Sequence, residues 1–84
     1  MLITSQDKST VVLLENLTSI KVQLIQHKIC IVGESINKQY LLGQYSTESV
    51  AQRVLHNIIR DYKEMLYDME NAYWYTDFNM PEYH

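Results

Sequence analysis

The first half of the chain alternates apolar and polar residues with a period of two. The clearest stretch is SIKVQL at residues 19–24, where every second side chain is apolar, as in a β-strand with one buried face. Ahead of it, LITSQ and VVLL flank the turn-forming residues 7–10, DKST, and together they predict a hairpin. Glu15 and Asn16 mark a bulge, a short break, or the middle of a second strand that runs on through Leu24.

Two further strands are predicted before residue 46. The β-branched run ICIV at residues 29–32 predicts a strand that ends at Gly33, and the polar residues 34–39 predict a loop. YLLGQY at residues 40–45 predicts the last strand, in which Gly43 marks a bulge or a close approach of another backbone. Because the connections are short, we expect neighbouring strands to pair in antiparallel order.

The period changes from two to about 3.6 at Ser46 and Thr47. Either residue supplies a helix N-cap oxygen, and Glu48 follows where the helix dipole favours a negative charge. No glycine ends the helix and Pro81 is its only hard stop, so we expect the last turns to fray around residues 69–73. For about six turns, apolar residues recur every three or four positions, at Val50, Ala51, Val54, Leu55, Ile58, Ile59, Tyr62, Met65, Leu66, Met69 and Tyr73.

These elements predict an α+β protein: a four-stranded antiparallel β-meander, one long C-terminal helix packed on the sheet, and then an aromatic tail. We place the domain at residues 1–72 and the acidic, aromatic tail at residues 73–84. The sequence leaves open whether the tail is ordered and whether residues 73–78 form a fifth strand.

A length mismatch between helix and sheet predicts an uncovered surface. A helix from Thr47 to about Met69 is ~34 Å long, whereas strands of five or six residues reach ~17–20 Å. The sheet therefore covers about the first half of the helix, and the apolar stripe beyond it needs another cover. The residues expected on the sheet are Val50, Val54, Leu55, Ile58 and Ile59.

Composition places the chain among small single-domain proteins of a reducing compartment. It has 84 residues, and Cys30 is its only cysteine, so no disulfide forms within it. The opening MLITSQDKST lacks the features of a signal peptide, and no apolar run approaches the ~20 residues that span a bilayer. We expect a cytoplasmic protein without a membrane partner.

The net charge of −3 is unevenly distributed. Residues 1–63 hold all seven Lys and Arg against five acids, whereas residues 64–84 hold five acids and no basic residue. The acidic end would repel phosphates and disfavours nucleic acid as a partner there. The alternative is a nucleic-acid-associated regulator in which Lys21, Lys28 and Lys38 on the sheet bind phosphates and Tyr40 and Tyr45 stack on bases.

No residue pattern in the chain specifies a reaction. His27 and Cys30 are three positions apart, but no spacing pairs them with His56 or His84 into a zinc site. Cys30 lies in an apolar run typical of a buried strand, and His56 has Arg60 one helical turn away, as in surface pairing. The two glycines are ten residues apart and form no phosphate-binding loop. We therefore expect no catalytic site, metal or cofactor, and an enzyme is the least favoured alternative.

Three segments resemble a known group of proteins: LITSQDK, ENLTSIKV and LLGQYSTESVAQRVLHNII. The group consists of small uncharacterised proteins of Gram-positive bacteria and of their phages and mobile elements. Its members share an I-x-S-Q-D opening and an L-G-x-Y-x-(S/T)-x-E segment that leads into a helix. The chain departs from them at Lys8, where a glycine often follows the aspartate, and at Ser49, where an acid is common. The resemblance covers most of residues 1–60 and implies a strand-rich start, a helix and a mobile-element context, but no chemistry. The matching residues are Ile3, Ser5, Gln6, Asp7, Leu42, Gly43, Tyr45, Thr47, Val54 and Leu55.

The end of the helix and the tail form the densest aromatic and methionine region of the chain. Such side chains are enriched in the cores of protein interfaces, where lysine is depleted, as it is here. We predict a protein interface, most simply a symmetric homodimer built on the helix ends, in a small interaction or accessory protein. The alternative is a tail that folds back on its own helix and sheet, and swapped tails would combine the two. The predicted interface residues are Tyr62, Leu66, Met69, Tyr73, Trp74, Tyr75 and Phe78.

Overall fold

The computed structural model describes the backbone of residues 1–72 and 76–82, and the side chains of residues 1–67 and 76–82. This part of the chain forms six β-strands, one short 3-10 helix and one long α-helix. In chain order they are β1 (Leu2–Thr4), β2 (Val11–Leu13), the 3-10 helix (Leu14–Asn16), β3 (Ser19–Ile25), β4 (Lys28–Glu34), β5 (Gln39–Tyr45), α1 (Glu48–Ala72) and β6 (Asp77–Asn79).

The strands form two three-stranded sheets rather than one four-stranded sheet. The larger sheet is the antiparallel meander β3-β4-β5, and the smaller has the order β2-β1-β6. In the smaller sheet β1 is antiparallel to β2 and parallel to β6. The predicted α+β class with antiparallel pairing and one long helix is thus confirmed for the described residues. The predicted four-stranded meander is wrong, and the helix is not the last element, because β6 follows it.

The 3-10 helix separates the two sheets. Leu17 N–H donates to the carbonyl of Leu14 at 3.0 Å, and Leu14 N–H donates to the carbonyl of Met1 at 2.9 Å. The chain therefore leaves the extended conformation between β2 and β3, and the predicted short break is the correct alternative. A strand running from residue 11 through residue 24 is wrong for the same reason.

Gly33 lies inside β4, which continues to Glu34 instead of ending at the glycine. A Cβ at Gly33 would lie 2.8 Å from a methyl carbon of Leu17. The missing side chain lets the segment that joins the two sheets pack directly on the central strand. The glycine marks a close approach rather than a strand end.

The register of the larger sheet is set by a two-residue turn and a bulge. Gln26 and His27 link β3 to β4 and have φ values of 50° and 66°, the signature of a type I′ hairpin turn. Between β4 and β5 the register shifts beside Gly43, so Leu42 is the extra residue of a bulge. The bulge predicted at Gly43 is therefore confirmed within one residue.

The helix begins where the sequence predicts and packs across the larger sheet. Val50 N–H donates to Thr47 Oγ1 at 3.2 Å, which identifies Thr47 as the N-cap. The helix contacts β3, β4 and β5. Its 25 residues make it ~37 Å long, against ~24 Å for the seven-residue strands. The core beneath it contains Met1, Ile3, Val12, Ile31, Leu42, Tyr45, Ala51, Val54, Ile58, Met65 and Met80.

Candidate protein-interaction surface

The structure describes three of the seven predicted interface side chains. Tyr62 is half-buried against the core, and Leu66 is 47 % exposed. Phe78 lies in β6 and is half-buried against the same core. The side chain of Met69 and residues 73–75 lie outside the described residues. Of the three described residues of the predicted set, Leu66 thus has the largest exposed fraction.

An apolar stripe runs along one side of the helix. Leu55, Ile59, Tyr62 and Leu66 are spaced by four, three and four residues, which places them on the same side of an α-helix. We call these four residues the helix flank. Leu55 and Tyr62 are half-buried, while Ile59 is 40 % exposed. The prediction that Ile59 packs on the sheet is wrong, because the buried line runs through its neighbour Ile58.

Tyr67 adds a second exposed apolar side chain to the last described turn of the helix. It is 80 % exposed and follows Leu66 directly. The spacing of Tyr67 from Lys63 and Arg60 places it on the outer side of the helix, among charged residues. An exposed tyrosine beside an exposed leucine is typical of a protein contact surface.

Residues 76–82 fold back on the protein's own core. Thr76 N–H donates to the Sδ of the buried Met65 at 3.4 Å, and Met80 N–H donates to the carbonyl of Thr4 at 3.0 Å. The Met80 side chain is buried, and Asp77–Asn79 form β6 beside β1. For these residues the fold-back alternative holds, so Phe78 contributes mainly to the cover of the core.

The carbonyl of Pro81 fixes the chain end against the larger sheet. It accepts a hydrogen bond from Tyr45 Oη at 2.9 Å and another from Gln6 Nε2 at 3.0 Å. Tyr45 is buried, so its ring is not free to stack on a nucleic-acid base. Tyr45, one of the two residues predicted to stack on bases in the nucleic-acid alternative, therefore serves the fold.

The two outer edges of the larger sheet differ. The edge of β5 is covered by Gln6, whose backbone N–H donates to the carbonyl of Leu42 at 2.7 Å and whose side chain bonds to the backbone of Gln44. At the edge of β3, no residue of the described chain pairs on the outer side. Leu24 near the end of that edge is 66 % exposed.

Two of the three sheet lysines contact their own chain. Lys21 Nζ lies 2.6 Å from Glu34 Oε1, and this partner lowers the pKa of the Glu34 carboxyl. Lys38 Nζ lies 5.5 Å from the ring centroid of Tyr40. These contacts engage two of the three cations and one of the two aromatic rings of the nucleic-acid alternative.

Cys30, the single cysteine of the chain, is buried in β4. Burial raises the pKa of the Cys30 thiol, against a smaller opposing effect of Lys28, and its Sγ donates to the Lys28 carbonyl at 3.6 Å. The cysteine is therefore held as a neutral thiol. In the described part of the chain, no three His, Cys, Asp or Glu side chains are placed to hold a metal ion.

The Asp7 carboxylate organises the turn between β1 and β2. Hydrogen bonds from the backbone and the hydroxyl of Ser9, and from the hydroxyl of Ser5, lower its pKa to about 2. The distances are 3.0, 2.7 and 2.7 Å respectively. The hydrogen bonds of a local turn therefore explain the lowered pKa of Asp7. The shift does not mark Asp7 as a candidate catalytic residue.

Comparison of the chain with protein-family models, with curated proteins and with solved structures finds no match. Within residues 1–72 and 76–82, no helix has both the length and the apolar character needed to cross a bilayer.

Proposed function

We propose that the protein is a small interaction or accessory protein that acts as a homodimer and contacts protein through the helix flank and the end of the helix. The observation that carries the proposal is the exposure of Ile59, Leu66 and Tyr67 on a helix longer than the sheet beneath it. Burial of apolar surface stabilises association by about 25 cal/mol per Å². These side chains therefore favour contact with another apolar surface over contact with water.

The symmetry of a homodimer suits a stripe of this kind. In a two-fold dimer each surface meets its own copy, so Ile59 and Leu66 of one helix can pack against the same stripe of an antiparallel second helix. The helix flank carries no charged residue among its four members. Self-contact between these four side chains therefore places apolar groups against apolar groups.

The proposed cellular setting is the cytoplasm of a Gram-positive bacterium, with a gene that belongs to the bacterium, to a phage or to a mobile element. The single buried thiol of Cys30 suits a reducing compartment. The resemblance of residues 1–60 to small mobile-element proteins supports the same setting. The role is binding rather than catalysis, and Tyr67 with the predicted residues Met69, Tyr73, Trp74 and Tyr75 is the surface offered to a further protein partner.

The test of the proposal is the molar mass of Leu66→Glu by light scattering on a sizing column. The carboxylate would be desolvated in a helix-to-helix contact, so we expect the dimer dissociation constant to rise roughly tenfold or more. Ser49→Glu is the matched control, because it adds the same charge at an exposed position at the start of the same helix. If the Leu66→Glu dimer is as tight as the Ser49→Glu dimer, the helix flank is not part of the interface.

Point variants are the right tool because the chain end cannot be removed without harm to the fold. A truncation near residue 70 would remove β6 and the buried Met80 together with the aromatic residues. Loss of the dimer on truncation would therefore not distinguish a lost interface from a lost core.

A further inference from the structure

The outer edge of β3 is long, open and apolar. It spans seven residues, from Ser19 to Ile25, and no residue of the described chain pairs with its outer side. The opposite edge of the same sheet is covered by Gln6. Open edges of this length are templates for pairing with another strand, and proteins usually protect them with charge, proline or bulges.

The hydrogen-bonding groups that face outward belong to Ile20, Val22 and Leu24. Ile25 and Lys28 flank the two-residue turn and form a hydrogen-bonded pair. Counting back from Ile25, every second residue of β3 therefore directs its N–H and C=O groups toward β4. The remaining three residues direct theirs away from the sheet. The three side chains lie together on the face that carries the helix, since Val22 is opposite the core residue Ile31.

The charge on β3 does not protect this edge. Lys21 is the only charged residue of the strand, and its ammonium group is drawn back over the sheet to Glu34 at 2.6 Å. On the helix side the edge opens into a shallow pocket of about 220 Å³, lined by Val22, Leu24, Ile29 and Glu48. The edge therefore offers both free backbone groups and apolar side chains.

We propose that β3 pairs in antiparallel orientation with β3 of a second copy of this chain, with the two-fold axis at Val22. The proposal rests on the homodimer proposed above and locates the second copy. It joins two β3-β4-β5 meanders into one continuous sheet with both helices on the same face. Val22 then lies opposite Val22 of the second copy, and Ile20 lies opposite Leu24, so every outward N–H and C=O of these residues is paired.

Charge and strand length select this register among the neighbouring ones. A two-fold axis at Lys21 would place two lysines directly opposite each other, which is destabilising. An axis at Gln23 would leave Ile20 opposite the turn of the second copy instead of opposite a strand residue. With the axis at Val22, Lys21 lies opposite Gln23, and the outer face carries no like-charge pair across the junction.

The helix flank supplies the area that the edge alone lacks. An edge ~24 Å long and ~10 Å wide covers roughly 240 Å² per copy, against about 800 Å² in a standard interface. Glu48 shares the pocket with Leu24, and Leu55 follows two turns later on the same side of the helix. The helix flank therefore faces the β3 side of the sheet, and pairing of the edges brings the two flanks toward each other.

The experiment compares Leu24→Lys with Leu41→Lys. Leu41 is 56 % exposed on β5, on the other face of the same sheet, so the control adds the same charge at another exposed leucine. By light scattering over a concentration series, we expect Leu24→Lys to weaken the dimer roughly tenfold or more and Leu41→Lys to leave it unchanged. In the unmodified dimer, hydrogen exchange at the amides of Ile20, Val22 and Leu24 should slow as the concentration rises.

Each outcome decides between the surfaces. A Leu24→Lys dimer as tight as the unmodified dimer, with amides 20, 22 and 24 exchanging at the same rate at all concentrations, overturns the edge pairing. If Leu66→Glu dissociates that dimer, the helix-flank interface stands without the edge. If Leu24→Lys dissociates the dimer and Leu66→Glu does not, the edge pairing stands and the proposed helix contact falls.

Discussion

The side-chain amide of Gln6 pairs with the backbone of Gln44 through two hydrogen bonds. Gln44 N–H donates to Gln6 Oε1 at 3.0 Å, and Gln6 Nε2 donates to the carbonyl of Gln44 at 3.1 Å. Because Nε2 also donates to the carbonyl of Pro81, one side chain joins the β1–β2 turn, the edge of β5 and the chain end. Gln6 thus takes the place of a strand residue at an edge that would otherwise be open.

Gln6→Glu tests this role with a side chain of nearly the same shape. The carboxylate cannot donate to the carbonyls of Gln44 and Pro81, so we expect a loss of about 1–3 kcal/mol in the free energy of unfolding, measured by urea denaturation. Gln52→Glu on the helix is the control for the added charge and should change the free energy of unfolding by less than about 0.5 kcal/mol. Equal effects of the two variants would show that the hydrogen bonds of Gln6 contribute little to the free energy of unfolding.

The hairpin turn between β3 and β4 is built from residues that do not favour its geometry. Gln26 and His27 both have positive φ, a region that glycine and asparagine adopt more readily. The double variant Gln26→Asn, His27→Gly should therefore raise the free energy of unfolding by about 1 kcal/mol, seen as a higher urea midpoint.

A glycine introduced in the turn between β4 and β5 should instead lower the free energy of unfolding. Asn37 lies in the turn before β5 and its φ is not positive, so Asn37→Gly should lower the urea midpoint through the added freedom of the unfolded chain. A turn variant that is less stable than the unmodified protein would contradict the assigned turn type.

The lowered pKa of Asp7 predicts a stability change in acid. Its folded pKa of about 2 lies below the ordinary value of 3.8, so its ionised form stabilises the folded state above pH 4. That stabilisation should be lost as the pH falls from about 4 to about 2. The Asp7→Asn variant lacks this pH-dependent stabilisation. The difference in urea midpoint between the unmodified protein and the variant should therefore shrink as the pH falls from about 4 to about 2. A constant difference from pH 6 to pH 2 would assign the acid response to other carboxylates such as Glu34.

A substitution at Met80 tests whether residues 76–82 belong to the core. Its side chain is buried among residues of both sheets and the helix, so Met80→Ala should reduce the free energy of unfolding by about 2–4 kcal/mol. Ile36→Ala removes an exposed apolar side chain in the β4–β5 turn and should have little effect. A Met80→Ala variant as stable as Ile36→Ala would mean that residues 76–82 do not cover the core in solution.

Local patterns in the sequence predict the larger sheet and the start of the helix. The alternation at residues 19–24 marks β3, and the change of period at Thr47 marks the helix, because one buried face of each element sets its periodicity. The split into two sheets was missed because it depends on a 3-10 turn at Leu14–Asn16 and on the pairing of β1 with β6. That pairing joins the two ends of the chain, and no local pattern records it.

The candidate surface was predicted in part for a similar reason. Leu66 follows from the length mismatch between helix and sheet, since the helix is longer than any strand it contacts. Ile59 was missed because an apolar pair such as Ile58–Ile59 does not show which member turns inward. The open edge of β3 could be inferred only after the partners of β4 and β5 were known, because edge position is a property of the whole sheet.

The molar mass of the unmodified protein in solution shows whether the chain forms the proposed homodimer. Light scattering across a concentration series should move from the chain mass of 10.0 kDa to twice that value as the concentration rises. We predict that the mass reaches a plateau at the dimer, since a two-fold interface is closed. A mass that stays at 10.0 kDa at the highest concentration would contradict the homodimer, and with it both the helix contact and the pairing of β3.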